Sequence, residues 1–135
     1  MMMETFTIRL KPDQDLFRSL NEFCLDQKIT AGCILTCVGS LQKAALRLAN
    51  QDNTSTWEDK FEIVSLVGTI SIFGSHLHIS ISDGKGKTIG GHLVEGNLIY
   101  TTAEIVISAF PDLVYQREYC EESGYPELVV ERKTT

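Results

Sequence analysis

The stretch that decides the fold of this chain is HLHISISDGKGKTIGGHLV, residues 76–94. Polar and apolar side chains alternate strictly over 76–82, and a period of two residues predicts a half-buried β-strand. A second strand is predicted over 87–94, across the glycine-containing turn at residues 83–86. The stretch therefore predicts an antiparallel hairpin that packs one face into the core. The core-facing side chains of its first strand are those of Leu77, Ile79 and Ile81.

All three histidines of the chain lie in this predicted hairpin. His76 and His78 are two residues apart on one strand, so their imidazoles project from the same face, which also carries Ser80 and Ser82. His92 lies on the second strand, and its position depends on how the two strands pair.

The register of the hairpin decides whether His92 joins the other two histidines. If Asp83 pairs with Lys87 around a three-residue loop, His78 lies opposite His92 and all three rings share a face. If Asp83 pairs with Gly86 instead, His92 points to the opposite face. The two glycines of the turn suit the three-residue loop, which needs a bulged conformation.

Three neutral imidazoles around an open position form a ligand set typical of catalytic zinc. The sequence therefore predicts a divalent metal bound by His76, His78 and His92, with zinc as the first choice and iron, nickel or manganese as alternatives. The competing interpretation is a set of polar surface histidines, or a stack that bonds to the neighbouring serines.

Glu95 is the weak candidate for a catalytic or additional metal-binding residue. It follows His92 by three residues and could serve as a fourth ligand, as a partner of a ligand or as a general base. An offset of three places it on the opposite face of a regular strand, so any such role requires a bulge or a strand end. The other carboxylates are interpreted as surface groups, namely Glu62, Glu104, Glu118, Glu121, Glu122 and Glu127.

The rest of the chain predicts one long helix and further strands. Leu16, Leu20, Phe23 and Cys24 recur at helical spacing, which predicts a helix over 12–27 that begins at Pro12. Strands are predicted over 5–10, 33–38, 43–49, 61–73 and 98–110, with a break at Gly39-Ser40, an interruption at Gly68, a polar loop over 50–55 and a hairpin over 115–130 that turns at Ser123-Gly124. The pattern predicts an α+β fold, a mostly antiparallel sheet packed with one main helix, in a single domain over residues 1–135.

Composition and charge limit the classes of function. The formal net charge is −6, and lysine and arginine are scattered, so autonomous nucleic-acid binding is disfavoured. Neither a secretory signal nor a membrane-spanning apolar run is recognisable, and we expect a cytoplasmic protein with four reduced cysteines. The basic pairs, interpreted as solvated surface charge, are Lys43 with Arg47, Lys85 with Lys87, and Arg132 with Lys133.

Taken in order, several motifs resemble the plants-and-prokaryotes conserved (PPC) domain family, in its standalone prokaryotic type. The resemblance covers nearly the whole chain, although Cys120 stands where an acidic residue is expected before Glu121. The matching stretches are AG at 31–32 through GSL at 39–41, FEIVSLVG at 61–68, HLHIS at 76–80, GGHLVEG at 90–96 and EESGYPEL at 121–128.

The resemblance implies an antiparallel sheet fold, a homotrimer and, more distantly, a fold and a His-x-His…His site similar to those of acetolactate decarboxylase. Related plant domains follow AT-hook segments, from which the label "DNA-binding" derives; the present sequence shows no Arg-Gly-Arg-Pro hook. Two functions remain open. The first is a trimeric metal-binding protein that serves as a small-ligand binding or regulatory module. The second is a zinc-dependent lyase or hydrolase acting on a small oxygen-rich substrate. In the second, Glu95 or a carboxylate of a neighbouring subunit would move protons. A DNA-associated protein is the third alternative.

Overall fold

The computed structural model describes residues 3–134 and confirms the α+β class. One helix and nine strands lie in this range. They are β1 (Glu4–Leu10), α1 (Leu16–Gln27), β2 (Gly32–Arg47), β3 (Thr54–Trp57), β4 (Phe61–Ile70), β5 (His76–Ser82), β6 (Thr88–Leu93), β7 (Leu98–Ala109), β8 (Leu113–Cys120) and β9 (Tyr125–Arg132).

Seven strands form one sheet in the order β1-β7-β2-β4-β5-β6, with β3 paired to β2. All the pairings are antiparallel. The far edge of the sheet curls back, because β6 also pairs with the end of β2 at Leu46 and Arg47. This closure brings the end of β2 beside the β5–β6 hairpin. Strands β8 and β9 form a separate two-stranded sheet.

Strand β2 is continuous over 16 residues, so the predicted break at Gly39-Ser40 is wrong. A Cβ at Gly39 would lie 2.1 Å from the Thr102 carbonyl oxygen of β7. The glycine therefore permits a close approach of two strands instead of a turn. Register shifts along the β2–β7 ladder let the long strand bend and pair with different neighbours along its length.

The helix begins later than the sequence pattern predicts. Asp13 has a φ of 73°, which a right-handed helix does not allow, and α1 starts at Leu16. Asp15 is the N-cap, and its carboxylate accepts a hydrogen bond from the backbone N–H of Arg18 at 3.0 Å. The helix ends at Gln27, and the C-cap residue Lys28 adopts the left-handed conformation.

The core lies between the helix and the curled sheet. The buried face of the helix contributes Leu16, Leu20 and Cys24, all of them fully buried, so the predicted amphipathic spacing is confirmed. The core face of β5 is also as predicted, with Leu77, Ile79 and Ile81 no more than 3% exposed.

The remaining differences from the predicted elements lie at strand ends. Thr54 and Ser55 begin β3 instead of closing the polar loop. Strand β4 is continuous through Gly68, where the predicted interruption is wrong, and it ends at Ile70, because the Ser71 carbonyl then accepts the N–H of Gly74 in a turn. The tail hairpin turns at Ser123-Gly124 as predicted. None of the helices described over residues 3–134 has the length and apolar character needed to cross a membrane.

Candidate metal centre

The turn between β5 and β6 has the three-residue form. The Asp83 N–H donates to the Lys87 carbonyl at 2.9 Å, and one carboxylate oxygen of Asp83 accepts the N–H groups of Lys85 and Lys87. His78 consequently lies opposite His92. Of the two registers left open by the sequence, the one that unites the histidines is confirmed.

The three imidazoles form a compact cluster. Ring centroids are 5.0 Å apart for His76 and His78, 5.2 Å for His76 and His92, and 5.7 Å for His78 and His92. One ring nitrogen from each lies within 4.8 Å of those of the others. Tetrahedral ligands at zinc are about 3.3 Å apart, since Zn–N bonds are about 2.0–2.1 Å. Small side-chain rotations would therefore converge all three nitrogens on one ion.

The electrostatic environment favours neutral rings, which are the form that binds metal. Burial lowers the pKa of His92 to about 4, with further lowering by the positive charge of Arg47. Burial also lowers the pKa of His76, and the neighbouring His78 acts in the same direction. His76 and His92 are therefore unprotonated at neutral pH.

The alternative of a histidine stack bonded to serines receives no support. Among residues 3–134, no hydrogen bond joins a histidine to Ser80 or Ser82, and the hydroxyl of Ser82 is bonded instead to that of Thr88. The ring nitrogens of the cluster are left available for a ligand.

Two cavities open beside the cluster. The first, of about 560 Å³, lies between all three histidines and the segment 47–52, which begins at the last residue of β2. The second, of about 370 Å³, lies between His76, His92 and the start of β9. The cluster thus faces space in which a small ligand fits, since ligand pockets are typically about 300–1,000 Å³.

Four cavity residues were missing from the predicted site. Arg47, which the charge pattern assigns to the solvated surface, lines both cavities, and so does Tyr125. Arg117 and Glu127 line the second cavity; Glu127 is exposed, as predicted, and also borders this cavity. The sequence carries a local signal for Tyr125 and Glu127, which lie in the family motif at 121–128. The positions of the two arginines depend on pairing between strands that are distant in the sequence.

Glu95 is placed away from the histidines. Its carboxylate accepts a hydrogen bond from Arg18 of the helix at 3.1 Å, and it lines neither cavity. A role for Glu95 in proton transfer stays a prediction, and this placement speaks against it.

Asn97 contributes to the site indirectly and was not predicted. Its fully buried amide accepts the N–H of Ala45 and donates to the carbonyls of Ala45 and Val94. It therefore ties the segment after β6 to β2 just before Arg47, and fixes one wall of the cavities.

The structure is that of an antiparallel α+β domain that carries a His-x-His…His cluster. Sequence comparison identifies the family to which this domain belongs. The Plants and Prokaryotes Conserved domain model matches residues 1–111. The chain belongs to this family, as the motifs predicted. The β8–β9 hairpin lies beyond the matched residues.

Similar proteins occur in bacteria and archaea. The bifunctional protein GlmU of Synechococcus sp. (strain JA-3-3Ab) is 41% identical over 130 residues, which cover 96% of this chain and 21% of that protein. The chain thus spans about a fifth of the length of this curated relative.

Solved structures share the fold over nearly the whole chain. A hypothetical protein from Salmonella enterica is 38% identical, with a TM-score of 0.96 over 98% of this chain and 96% of that one. A metal-containing protein from Archaeoglobus fulgidus is 23% identical, with a TM-score of 0.82 over 93% of each chain. The second likeness shows the fold alone.

Proposed function

We propose that the protein binds one divalent metal ion, zinc in the first place, through His76, His78 and His92, and that it serves as a ligand-binding or regulatory module. The observation that carries the proposal is the convergence of three ring nitrogens within 4.8 Å beside a cavity. The metal-containing relative from Archaeoglobus fulgidus lends further support.

The donor set fits the proposed ion. Two of the rings have a lowered pKa, so little proton competition is expected at neutral pH. Three imidazoles leave one position of a tetrahedral zinc free for water or ligand. A bound zinc ion would lower the pKa of such a water or polarise a carbonyl.

Metal analysis of the untagged protein tests the proposal. We expect about one zinc per chain in the wild type and substantial loss in the variants His76→Ala and His92→Ala. Ser80→Ala is the matched control, because this serine shares the face of the histidines without bonding to them, and it should keep its metal. Equal and negligible metal in wild type and variants would contradict the proposal.

We also infer a homotrimeric assembly. The outer faces of β2 and β4 expose a patch of apolar side chains, whereas isolated proteins rarely leave such a patch uncovered. Closed symmetric assembly through one repeated contact would bury it. The patch consists of Leu35 (52% exposed), Val38 (58%), Val64 (58%) and Val67 (55%).

Light scattering after size-exclusion chromatography tests the assembly. We expect a mass three times the 15.1 kDa of the chain. The double variant Val38→Asp, Val64→Asp should lower that mass, because it introduces charge into the patch. A monomeric wild type, or a trimer that the double variant leaves intact, would contradict the inference.

A metal-dependent lyase or hydrolase is the second candidate function. The observation that favours it is the open cavity of about 560 Å³ against the cluster, which leaves space for a small substrate at the metal. The carboxylate of Glu127 lines the adjoining cavity and is better placed than Glu95 to accept a proton.

The coordination of the bound ion separates the two functions. Exchange of zinc for cobalt gives a visible spectrum that reports coordination number and responds when small ligands replace a bound water. An exchangeable position favours the enzyme, whose activity should then fall in Glu127→Gln without loss of metal. A spectrum that no small ligand changes favours a closed structural site and contradicts catalysis.

A further inference from the structure

Two arginines flank the histidine cluster at opposite ends. Arg47 is the last residue of β2, and the closure of the sheet places it directly opposite His92 in the β2–β6 pairing. The backbone therefore fixes this arginine beside the candidate metal position.

The second arginine reaches the cluster from the β8–β9 hairpin. The guanidinium of Arg117 donates to the hydroxyl of Thr69 at 3.1 Å, across 48 residues of sequence. Thr69 of β4 is in turn the strand partner of His76. Arg117 is thus held at the other end of the cluster by a specific hydrogen bond.

Both guanidiniums keep unused donors towards the same space. Arg47 and Arg117 line the cavity of about 370 Å³ together with His76 and His92. Neither forms a salt bridge within the described residues 3–134. The salt bridges found there are Arg18–Glu95 and Arg132–Asp112.

The charge of this cavity contrasts with that of the whole chain. Its one carboxylate, Glu127, leaves an excess of positive charge before any metal is counted, although the formal net charge of the protein is −6. Two unpaired cations in a concave site favour an anionic ligand.

We propose that Arg47 and Arg117 form an oxyanion subsite, and that the ligand of the cluster is a small molecule that carries a carboxylate or phosphate group. This inference rests on the proposed metal-binding function, whose ion would contact the polar end of the same ligand. A guanidinium suits the task because its planar fork presents parallel N–H donors to the two oxygens of such a group. The ring of Tyr125 supplies a wall of the cavity.

Titration calorimetry of the zinc-loaded protein with three probes tests the subsite. Pyruvate and inorganic phosphate represent the two sources of an oxyanion, and hydroxyacetone is a neutral probe of similar size. We expect millimolar or tighter binding of at least one anion and weaker binding of hydroxyacetone. The variants Arg47→Gln and Arg117→Gln should each weaken anion binding at least about tenfold, since a hydrogen bond to a charged group is worth about 1.5–3 kcal/mol.

Two controls separate the subsite from the metal site and from folding. Arg132→Gln removes an arginine of the same hairpin that is paired with Asp112, and it should leave anion binding unchanged. Zinc content should be equal in all the arginine variants. If a glutamine variant does not fold, Arg47→Lys and Arg117→Lys keep the charge and should still lose part of the affinity, because lysine lacks the planar fork.

If the wild type binds neither anion, or if both arginine variants bind the anions as tightly as the wild type, the proposed subsite is wrong. That result does not affect the proposed metal site. If the wild type holds no zinc, the metal proposal fails, and the same phosphate titration of metal-free protein decides the subsite alone. Loss of phosphate binding in the variants then supports it, and unchanged or absent binding overturns it.

Discussion

The β5–β6 and β8–β9 hairpins both form walls of the candidate site, but the fold holds them differently. In the first, one face of β5 lies in the main core, with Leu77 and Ile81 fully buried. In the second, no side chain is fully buried, and Val130 and Tyr119 are 53% and 69% exposed. The candidate metal ligands therefore lie on the rigid hairpin, whereas the outer wall lies on a weakly packed one.

The attachment of the β8–β9 hairpin consists largely of hydrogen bonds. The N–H of Tyr115 donates to the Thr30 carbonyl at 2.9 Å, and the Ser71 hydroxyl lies 2.9 Å from the Thr30 carbonyl oxygen and 3.0 Å from that of Tyr115, so that its single proton is shared between them. Arg117 adds its bond to Thr69. Such contacts open locally at a lower free energy than buried apolar packing does. The proposed metal ligands and the outer wall of the cavities therefore belong to elements of different stability.

Truncation of one apolar side chain in each hairpin should give the largest difference in the free energy of unfolding. Leu77→Ala removes a fully buried side chain between two histidines, and we expect a loss of about 3–5 kcal/mol in the free energy of unfolding. Val130→Ala removes an exposed one and should cost within about 0.5 kcal/mol. Urea unfolding of both variants provides the measurement. Similar losses for the two variants would contradict the difference in packing between the two hairpins.

Replacement of one glycine by alanine at each hairpin should give the next largest difference, in the free energy of unfolding and in zinc binding. Gly68 has a φ of 145°, and its Cβ would lie 2.0 Å from the carbonyl oxygen of His76. Gly68→Ala should therefore cost about 2–3 kcal/mol and displace His76, with weaker zinc binding. Gly124, in the β8–β9 turn, has a φ of 82° but open space around it.

The matched variant Gly124→Ala carries only the strain of a positive φ and should cost about 1–2 kcal/mol, with unchanged zinc affinity. Unfolding midpoints and zinc titration measure both effects. A loss of zinc affinity in Gly124→Ala equal to that in Gly68→Ala would show that the β8–β9 hairpin also positions the metal ligands.

The same contrast explains what the sequence could reveal. The β5–β6 hairpin was predictable because strict alternation and turn residues are local signals, and the correct register was one of only two alternatives. Its core face and the three clustered histidines follow directly from that register. The helix was also predictable in type, although its start was not, because Asp13 takes a left-handed backbone conformation that only the structure reveals.

Features that depend on distant pairing were out of reach. Gly39 has the pattern of a strand break, and only the approach of β7 shows it to be a close contact inside one long strand. Arg47 and Arg117 look like ordinary surface charge, because their positions depend on sheet closure and on a bond across 48 residues. The proposed metal ligands were therefore visible in the sequence, and the two arginines of the proposed oxyanion subsite were not.

The rate of cysteine alkylation should show the smallest difference, between the main core and the β8–β9 hairpin. Hydrogen bonds from the Ser123 N–H and hydroxyl lower the pKa of Cys120, at the β8–β9 turn. Burial raises the pKa of Cys24, on α1, and of Cys37, on β2, to about 11. The reactive species is the thiolate, whose fraction rises with pH through the pKa of each group.

Iodoacetamide at neutral pH should therefore modify Cys120 first, with Cys24 and Cys37 protected until the protein unfolds; peptide mass spectrometry after timed quenching measures the order. As the pH rises from 6 towards the pKa of Cys120, its rate should increase, while the two buried thiols stay unreactive well beyond that range. Ser123→Ala serves as the control, because it removes the hydroxyl donor and should slow Cys120 at a given pH without changing the buried thiols. Equal rates at Cys120 and Cys37 in the folded protein would mean that the core at β2 opens as readily as the β8–β9 hairpin, which would contradict the difference in stability between the core and that hairpin.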